Sequence, residues 1–245
     1  MCESEDILLG GKVRLLQRHN GYRTAIDPIF LAAAVPAKVG EMVLDLGCGV
    51  GAVSFCLYAR IPGLTITGLD FQKTLVDLAR RNSKLNNCGD CVNFVCGDLL
   101  EIPKELFEVK FDHVMVNPPY LTAKSGNRSP DACKALANVE SGAGLSDWVG
   151  AACRALKTRG TVTFIHRADR VADLIASLHH SFGGFVIFPL WTAQGKEAKR
   201  VIISARKGVS SPTKFSPGLI LHKKNGIFTD RAQSVLKNGE ALKLQ

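Results

Sequence analysis

The chain has 245 residues, of which 46% are hydrophobic and 22% charged. Those values exclude a disordered, collagen-like or coiled-coil protein, and the length suffices to bury a core without staples. The net charge of +9 is uneven: residues 1–40 carry +1, residues 41–120 carry −3 and residues 121–245 carry +11, which points to a polyanionic partner.

The most apolar run near the start, residues 29–35, lies between Pro28 and Pro36. It is far short of the ~20 residues of a membrane span. The start itself is acidic (Glu3, Glu5, Asp6) and unlike a secretory signal, so the expected compartment is the cytoplasm and the eight cysteines are expected as thiols.

Asp27 stands ahead of the run 29–35, which is expected as a helix docked on a sheet. From residue 42 short β-rich runs alternate with amphipathic stretches, the pattern of a parallel sheet covered on both faces. Strands are expected at 42–46, 64–70, 92–96 and 113–117, with helices at 52–60 and 72–86. Residues 121–144 read as a long polar connection, of a length at which loops usually carry function. A helix over 146–156 should stop at Arg159-Gly160, before a strand at 161–166. Val171, Leu174, Ile175 and Leu178 recur at i, i+3, i+4 and i+7, one helical face, which Gly183-Gly184 should end. Strands at 185–190 and 200–206 are close enough to pair antiparallel. The tail from 208 starts loosely, then offers an apolar run at 219–221 and a helix after Thr229.

The first strand of the sheet runs into Leu44-Asp45-Leu46-Gly47-Cys48-Gly49-Val50-Gly51. Alternate glycines between strand and helix let the backbone turn tightly and approach a ligand. Asp70, nineteen residues past Gly51, can accept from both hydroxyls of a ribose. The spacing is G-x-G-x-G rather than the dinucleotide G-x-G-x-x-G. Asp45 before the glycines would repel a phosphate and suits a cationic amino-acid ligand.

In these residues the chain resembles the class I methyltransferases that use S-adenosylmethionine. "LDLGCGVG" looks like their first motif, "GLD" ending at Asp70 like the ribose-binding acid, and Gly97-Asp98-Leu99 like the turn that holds the adenine. The resemblance implies a Rossmann-like α/β fold, a seven-stranded mostly parallel sheet with its last strand antiparallel. It implies S-adenosylmethionine bound by Asp27, Asp45, Gly47, Gly49, Gly51, Asp70, Phe71, Gly97, Asp98, Leu99 and Asn117. The corresponding division is a lid over 1–40, the methyltransferase domain over 41–207 and a basic extension over 208–245.

The strand at 113–117 ends in Asn117-Pro118-Pro119-Tyr120. A double proline after a strand can be a mere exit turn. Here it falls at the carboxyl edge of a cofactor-binding sheet, where ligands sit. The exocyclic amine of a base is a poor nucleophile because its lone pair is delocalised. Two rigid acceptors, the Asn117 side-chain oxygen and the Pro118 carbonyl, would hold its hydrogens and draw the nitrogen toward sp³. Pro119 offers no competing N–H, and Tyr120 can stack on the base. The tetrad is similar to that of methyltransferases acting on planar amino or amide nitrogens: adenine six-amino, guanine two-amino and glutamine amide.

The long helical domain of the release-factor enzymes and the duplicated domain of the large guanine enzymes are not seen ahead of or beside the glycine loop. The remaining match is the compact family of tRNA adenine six-amino methyltransferases. Gln17, Gly21-Tyr22-Arg23 and Asp27 fit its N-terminal segment, and "FIHRADR", "AKRVIISARKG" and "PGLILH" extend the resemblance. It implies RNA, and within it tRNA, as partner. Tyr120, Lys124, Arg128, Lys199 and Arg200 are the expected substrate contacts, and Lys196 and Trp191 lie in the same hairpin. The alternatives are a glutamine-amide or guanine methyltransferase, an inactive RNA-binding member of the fold, and a nicotinamide dehydrogenase. No metal is expected: Cys88 and Cys91 form one C-x-x-C pair without the second that structural zinc uses. His166 is read as a satisfied edge histidine, and His179-His180 as a helix end.

Overall fold

The computed structural model describes residues 3–18, 26–102, 106, 108–119 and 142–244. It begins with an antiparallel ribbon, β1 (Glu3–Leu8) and β2 (Val13–Arg18), paired from Glu3↔Arg18 to Leu8↔Val13. No element is expected there from the sequence pattern. Helix α1 (Asp27–Ala34) follows and is buried along its whole length, as an apolar helix docked on a sheet must be.

The sheet comprises β3 (Met42–Leu46), β4 (Thr65–Asp70), β5 (Val92–Cys96), β6 (Phe111–Val116), β7 (Leu156–Arg167), β8 (Phe182–Ala193) and β9 (Ala198–Lys207). Their spatial order is β8-β9-β7-β6-β3-β4-β5. Strand β9 is antiparallel to both neighbours, and the other six run together. This is the expected arrangement of six parallel strands and a last antiparallel one. The tail adds two short strands parallel to β8, making nine: β10 (Lys214–Phe215) and β11 (Leu219–His222).

Helices α2 (Ala52–Arg60) and α3 (Lys73–Leu85) join α1 and the ribbon on one face of the sheet. Helices α4 (Leu145–Ala155) and α5 (Val171–Leu178) cover the other. Successive side chains of a strand face opposite ways: Val43 belongs to the first core, Leu44 and Leu46 to the second. The first core also takes Leu15 from the ribbon and Val235 from the chain's last helical turns. Among the described residues, no helix is long and apolar enough to cross a membrane.

Two glycine signals fall differently from expectation. Arg159-Gly160 does not precede β7 but makes an irregularity inside it: Arg159 has φ +64°, and the register with β6 shifts between Phe111 and His113. Gly183-Gly184 does not end α5 but lies within β8. A Cβ on Gly183 would strike the Val209 carbonyl, and Gly184 N–H donates to Ser211 at 3.0 Å. The glycine pair is there so that the tail can cross the strand.

Candidate active site

Strand register alone gathers the site. Leu46 pairs with both Leu69 and Val116, so the residues that follow, Gly47, Asp70 and Asn117, stand side by side at the carboxyl edge. Asp70 in turn pairs with Cys96, just before Gly97. The strand order reverses between β3 and β6, and a crevice opens at such a switch point.

Each loop glycine has its own reason. Gly47, Gly49 and Gly51 all have positive φ, at +70°, +54° and +88°, a region open to glycine at no steric cost. A Cβ on Gly47 would lie 2.6 Å from the Trp148 ring of α4, and one on Gly51 would lie 2.5 Å from Phe55 and 2.7 Å from Phe94. A Cβ on Gly49 would meet nothing within 4 Å. The loop is packed from behind at both ends and open at its centre.

Asp70 is buried. Its two carboxylate oxygens accept from Gly49 N–H and Gln72 N–H, each at 2.9 Å, so the acid ties β4 to the glycine loop. Burial raises its pKa, against these two amide bonds. Asp45 lies deeper, 1% exposed, and points to the face of α2, where Ser54 Oγ donates to it at 2.7 Å. Desolvation pushes its carboxyl up to about 7. Phe71 is 47% exposed beside Asp70. Gly97 N–H donates to the Asp70 carbonyl, and the exposed Asp98 starts a turn by accepting from Leu100 N–H at 2.9 Å. Leu99 is buried beneath it.

Asn117 and Pro119 are half-buried and Pro118 is buried. Continuing the β6–β7 register from Val116↔Phe164 sets Ile165 beside Asn117 and His166 beside Pro118. His166 is buried, its Nδ1 accepts from Arg167 N–H, and burial followed by the Arg170 charge lowers its pKa to about 4. Tyr120, Lys124 and Arg128, and likewise Gly21, Tyr22 and Arg23, lie outside the described residues.

Asp27 and Arg200, expected on the cofactor and the RNA respectively, are joined to each other. Arg200 Nε donates to buried Asp27 at 2.9 Å, pinning the start of α1 to the start of β9. Lys199 beside it is exposed. Gln17 is buried and donates to Asp6.

Asn82 on α3 and Asn86, which caps its end one turn later, were not singled out from the sequence. Asn86 accepts from Arg14 N–H and donates to the Arg14 carbonyl; Asn82 does the same to Leu16 at 2.8 and 3.1 Å. The two amides thus stand in for a third strand along β2. Asn82 also donates to the Val50 carbonyl at 3.1 Å, linking the ribbon to the glycine loop. An i, i+4 asparagine pair on an amphipathic helix is the only signal in the sequence. Among the described residues no group of three or more His, Cys, Asp or Glu is placed to hold a metal, and Cys88 and Cys91 are thiols.

A family model described as a methyltransferase domain matches residues 37–204. A tRNA1(Val) (adenine(37)-N6)-methyltransferase of Actinobacillus pleuropneumoniae is 30% identical over 181 residues, 73% of this chain and 74% of its own. A release factor glutamine methyltransferase of Aliivibrio fischeri is 38% identical over 81 residues, 33% of this chain and 28% of its own. Among solved structures, a protein from Agrobacterium tumefaciens described as a predicted O-methyltransferase superposes with a TM-score of 0.73 at 25% identity, covering 89% of this chain and 98% of its own.

Proposed function

The chain belongs to the class I S-adenosylmethionine-dependent methyltransferases, and from that membership we propose that it methylates the six-amino group of an adenine in tRNA. The observation that carries the reading is the register that sets the open glycine loop, Asp70 and Asn117-Pro118-Pro119 next to one another at one edge. The residues present fit S-adenosylmethionine. The glycine loop is open at Gly49, where a Cβ would meet nothing within 4 Å, and Asp70 and Asp98 suit a ribose diol and an amine. Asp70 would hold the ribose, Asp98 the adenine amino group with Phe71 beside the ring, and the Gly47–Gly51 loop over Asp45 the methionine end. When bound, this donor supplies a methyl group already activated on a sulfonium.

The chain's own task is then placement. The Asn117 side-chain oxygen and the Pro118 carbonyl take the two amine hydrogens, turning the nitrogen lone pair toward the methyl. Buried Pro118 gives that carbonyl a fixed direction. Tyr120 stacks on the base. A target adenine must leave its stack, which costs a few kcal/mol in a duplex and less in a loop, so a tRNA loop is favoured. Extensive likeness to the tRNA enzyme supports RNA, as does the +11 charge of residues 121–245. The likeness to the release-factor enzyme over 81 residues supports the glutamine-amide reading as the second.

Incubation of the purified protein with S-adenosylmethionine and either unfractionated tRNA or a release factor separates the two. The expected result is S-adenosylhomocysteine release with tRNA only; release with the factor only would replace the adenine reading by the amide one.

A further inference from the structure

We propose that the turn at residues 223–227, carried by the tail, is the outer wall of the RNA-binding face, where Lys224 acts with Lys196 on phosphates of the same RNA whose base enters at Asn117. The proposal rests on the RNA reading above.

Strand direction places the turn. Because β8 runs with β6 and β7 while β9 runs against them, the β8–β9 turn at 194–197 projects from the edge that carries Asn117. Strand β11 is parallel to β8, with Leu219↔Leu190 and His222↔Ala193, so it ends at the same edge. The turn that follows is built firmly. Lys223 N–H donates to the Ile227 carbonyl at 2.8 Å, Gly226 N–H returns to Lys223 at 3.0 Å, and His222 stacks on Phe228 at 4.5 Å. The Trp191 indole N–H holds the approach to β11 through the Pro217 carbonyl at 2.9 Å.

Charge selects the residues. Arg167, Arg170, Arg200 and Lys223 along this edge are each paired with a carboxylate: Asp169, Asp173, Asp27 and Asp230. Lys196, Lys199 and Lys224 are exposed and, among the described residues, have no carboxylate within ion-pair distance. Their charge is therefore available to an outside anion. The partner's size follows from the strand spacing. From β6 through β7, β9 and β8 to β11 are four steps of ~4.8 Å, roughly 20 Å. A single nucleotide cannot reach both Asn117 and Lys224, whereas a folded RNA, with a stem beside its exposed base, does.

The test compares the full-length K196E/K224E variant with K38E/K84E, an equal charge change at exposed lysines away from this edge. Michaelis constants are measured for unfractionated tRNA, for a short single-stranded oligonucleotide containing adenine, and for S-adenosylmethionine. The expected result for K196E/K224E is a Michaelis constant for tRNA raised on the order of tenfold and a salt slope flattened by about 2. Its values for the oligonucleotide and for S-adenosylmethionine should stay as in the wild type, and K38E/K84E should behave as wild type throughout. Wild-type constants for tRNA in K196E/K224E, or an equal rise in K38E/K84E, would overturn the proposal while leaving the RNA reading intact. A wild-type protein that neither binds nor methylates tRNA would overturn both.

Discussion

Asp45 and Asp70 are both acids at strand ends, yet their surroundings give them different work. Asp70 takes one amide donor on each oxygen, so each oxygen retains a lone pair for a hydroxyl. Asp70→Ala is expected to weaken S-adenosylmethionine binding by about 1–3 kcal/mol, roughly 5- to 150-fold. Unchanged affinity by calorimetry would remove it from the site. Asp45 has one hydroxyl partner and a pKa raised from an ordinary 3.8 to about 7 by burial. The folded protein thus holds this proton more tightly than the unfolded chain. The resulting stability is full below pH ~4 and is lost as the pH rises through about 7. Asp70 is shifted the same way, so the difference between wild type and Asp45→Asn isolates the deeper acid. Urea unfolding at pH 5 and pH 8, without ligand, should show the wild type losing more stability than the variant, on the order of a few kcal/mol. Equal losses would mean that Asp45 is ionised in the fold. For Asn117→Ala, turnover is expected to fall ~10²–10³-fold, as for other positioned hydrogen-bonding groups, with S-adenosylmethionine affinity retained. Near-normal turnover at saturating tRNA would defeat its role.

At the scale of elements, the parts legible in the sequence are those fixed by short-range physics. The glycine loop, helix α2 and strands β3 and β5 fall at their expected bounds because apolar periodicity and turn glycines there act on near neighbours. The ribbon was not legible. Its strand β2 buries Val13, Leu15 and the polar Gln17, which breaks the alternation, and its partners are asparagines 66 and 72 residues away. The glycines at 160 and 183 misled for the same reason: each answers a crossing segment, the Asp112 carbonyl at 3.0 Å and the Val209 carbonyl, and not the local chain. Asn82 gives this element a measurable consequence. Asn82→Ala strips the half-buried ribbon residue Leu16 of both side-chain partners of its backbone, a loss of about 2–3 kcal/mol, and also frees Val50. It should reduce S-adenosylmethionine affinity severalfold, whereas Asn86→Ala should destabilise the ribbon and leave affinity unchanged. Equal affinities in the two variants would make Asn82 a purely structural residue.

Over the whole molecule, charge and topology divide the labour. Residues 41–120 carry −3 and residues 121–245 carry +11, and the β8–β9 turn with Lys196 stands at the same sheet edge as Asn117. The pairing of Arg200 with Asp27 was hidden from the sequence by their separation of 173 residues. It also decides how the substrate face should be probed: reversing Arg200 would set a carboxylate against Asp27, so Lys199 is the cleaner position.

What sets an adenine enzyme apart from its guanine and glutamine-amide relatives is the atom methylated. Its most direct measurement is incubation of unfractionated tRNA with the purified protein and S-adenosylmethionine bearing a deuterated methyl group, followed by digestion to nucleosides and mass spectrometry. The expected product is deuterated N6-methyladenosine, reduced ~10²–10³-fold when Asn117→Ala replaces the wild type. Label on guanosine, or no labelled nucleoside under conditions in which the protein binds S-adenosylmethionine, would contradict the adenine reading.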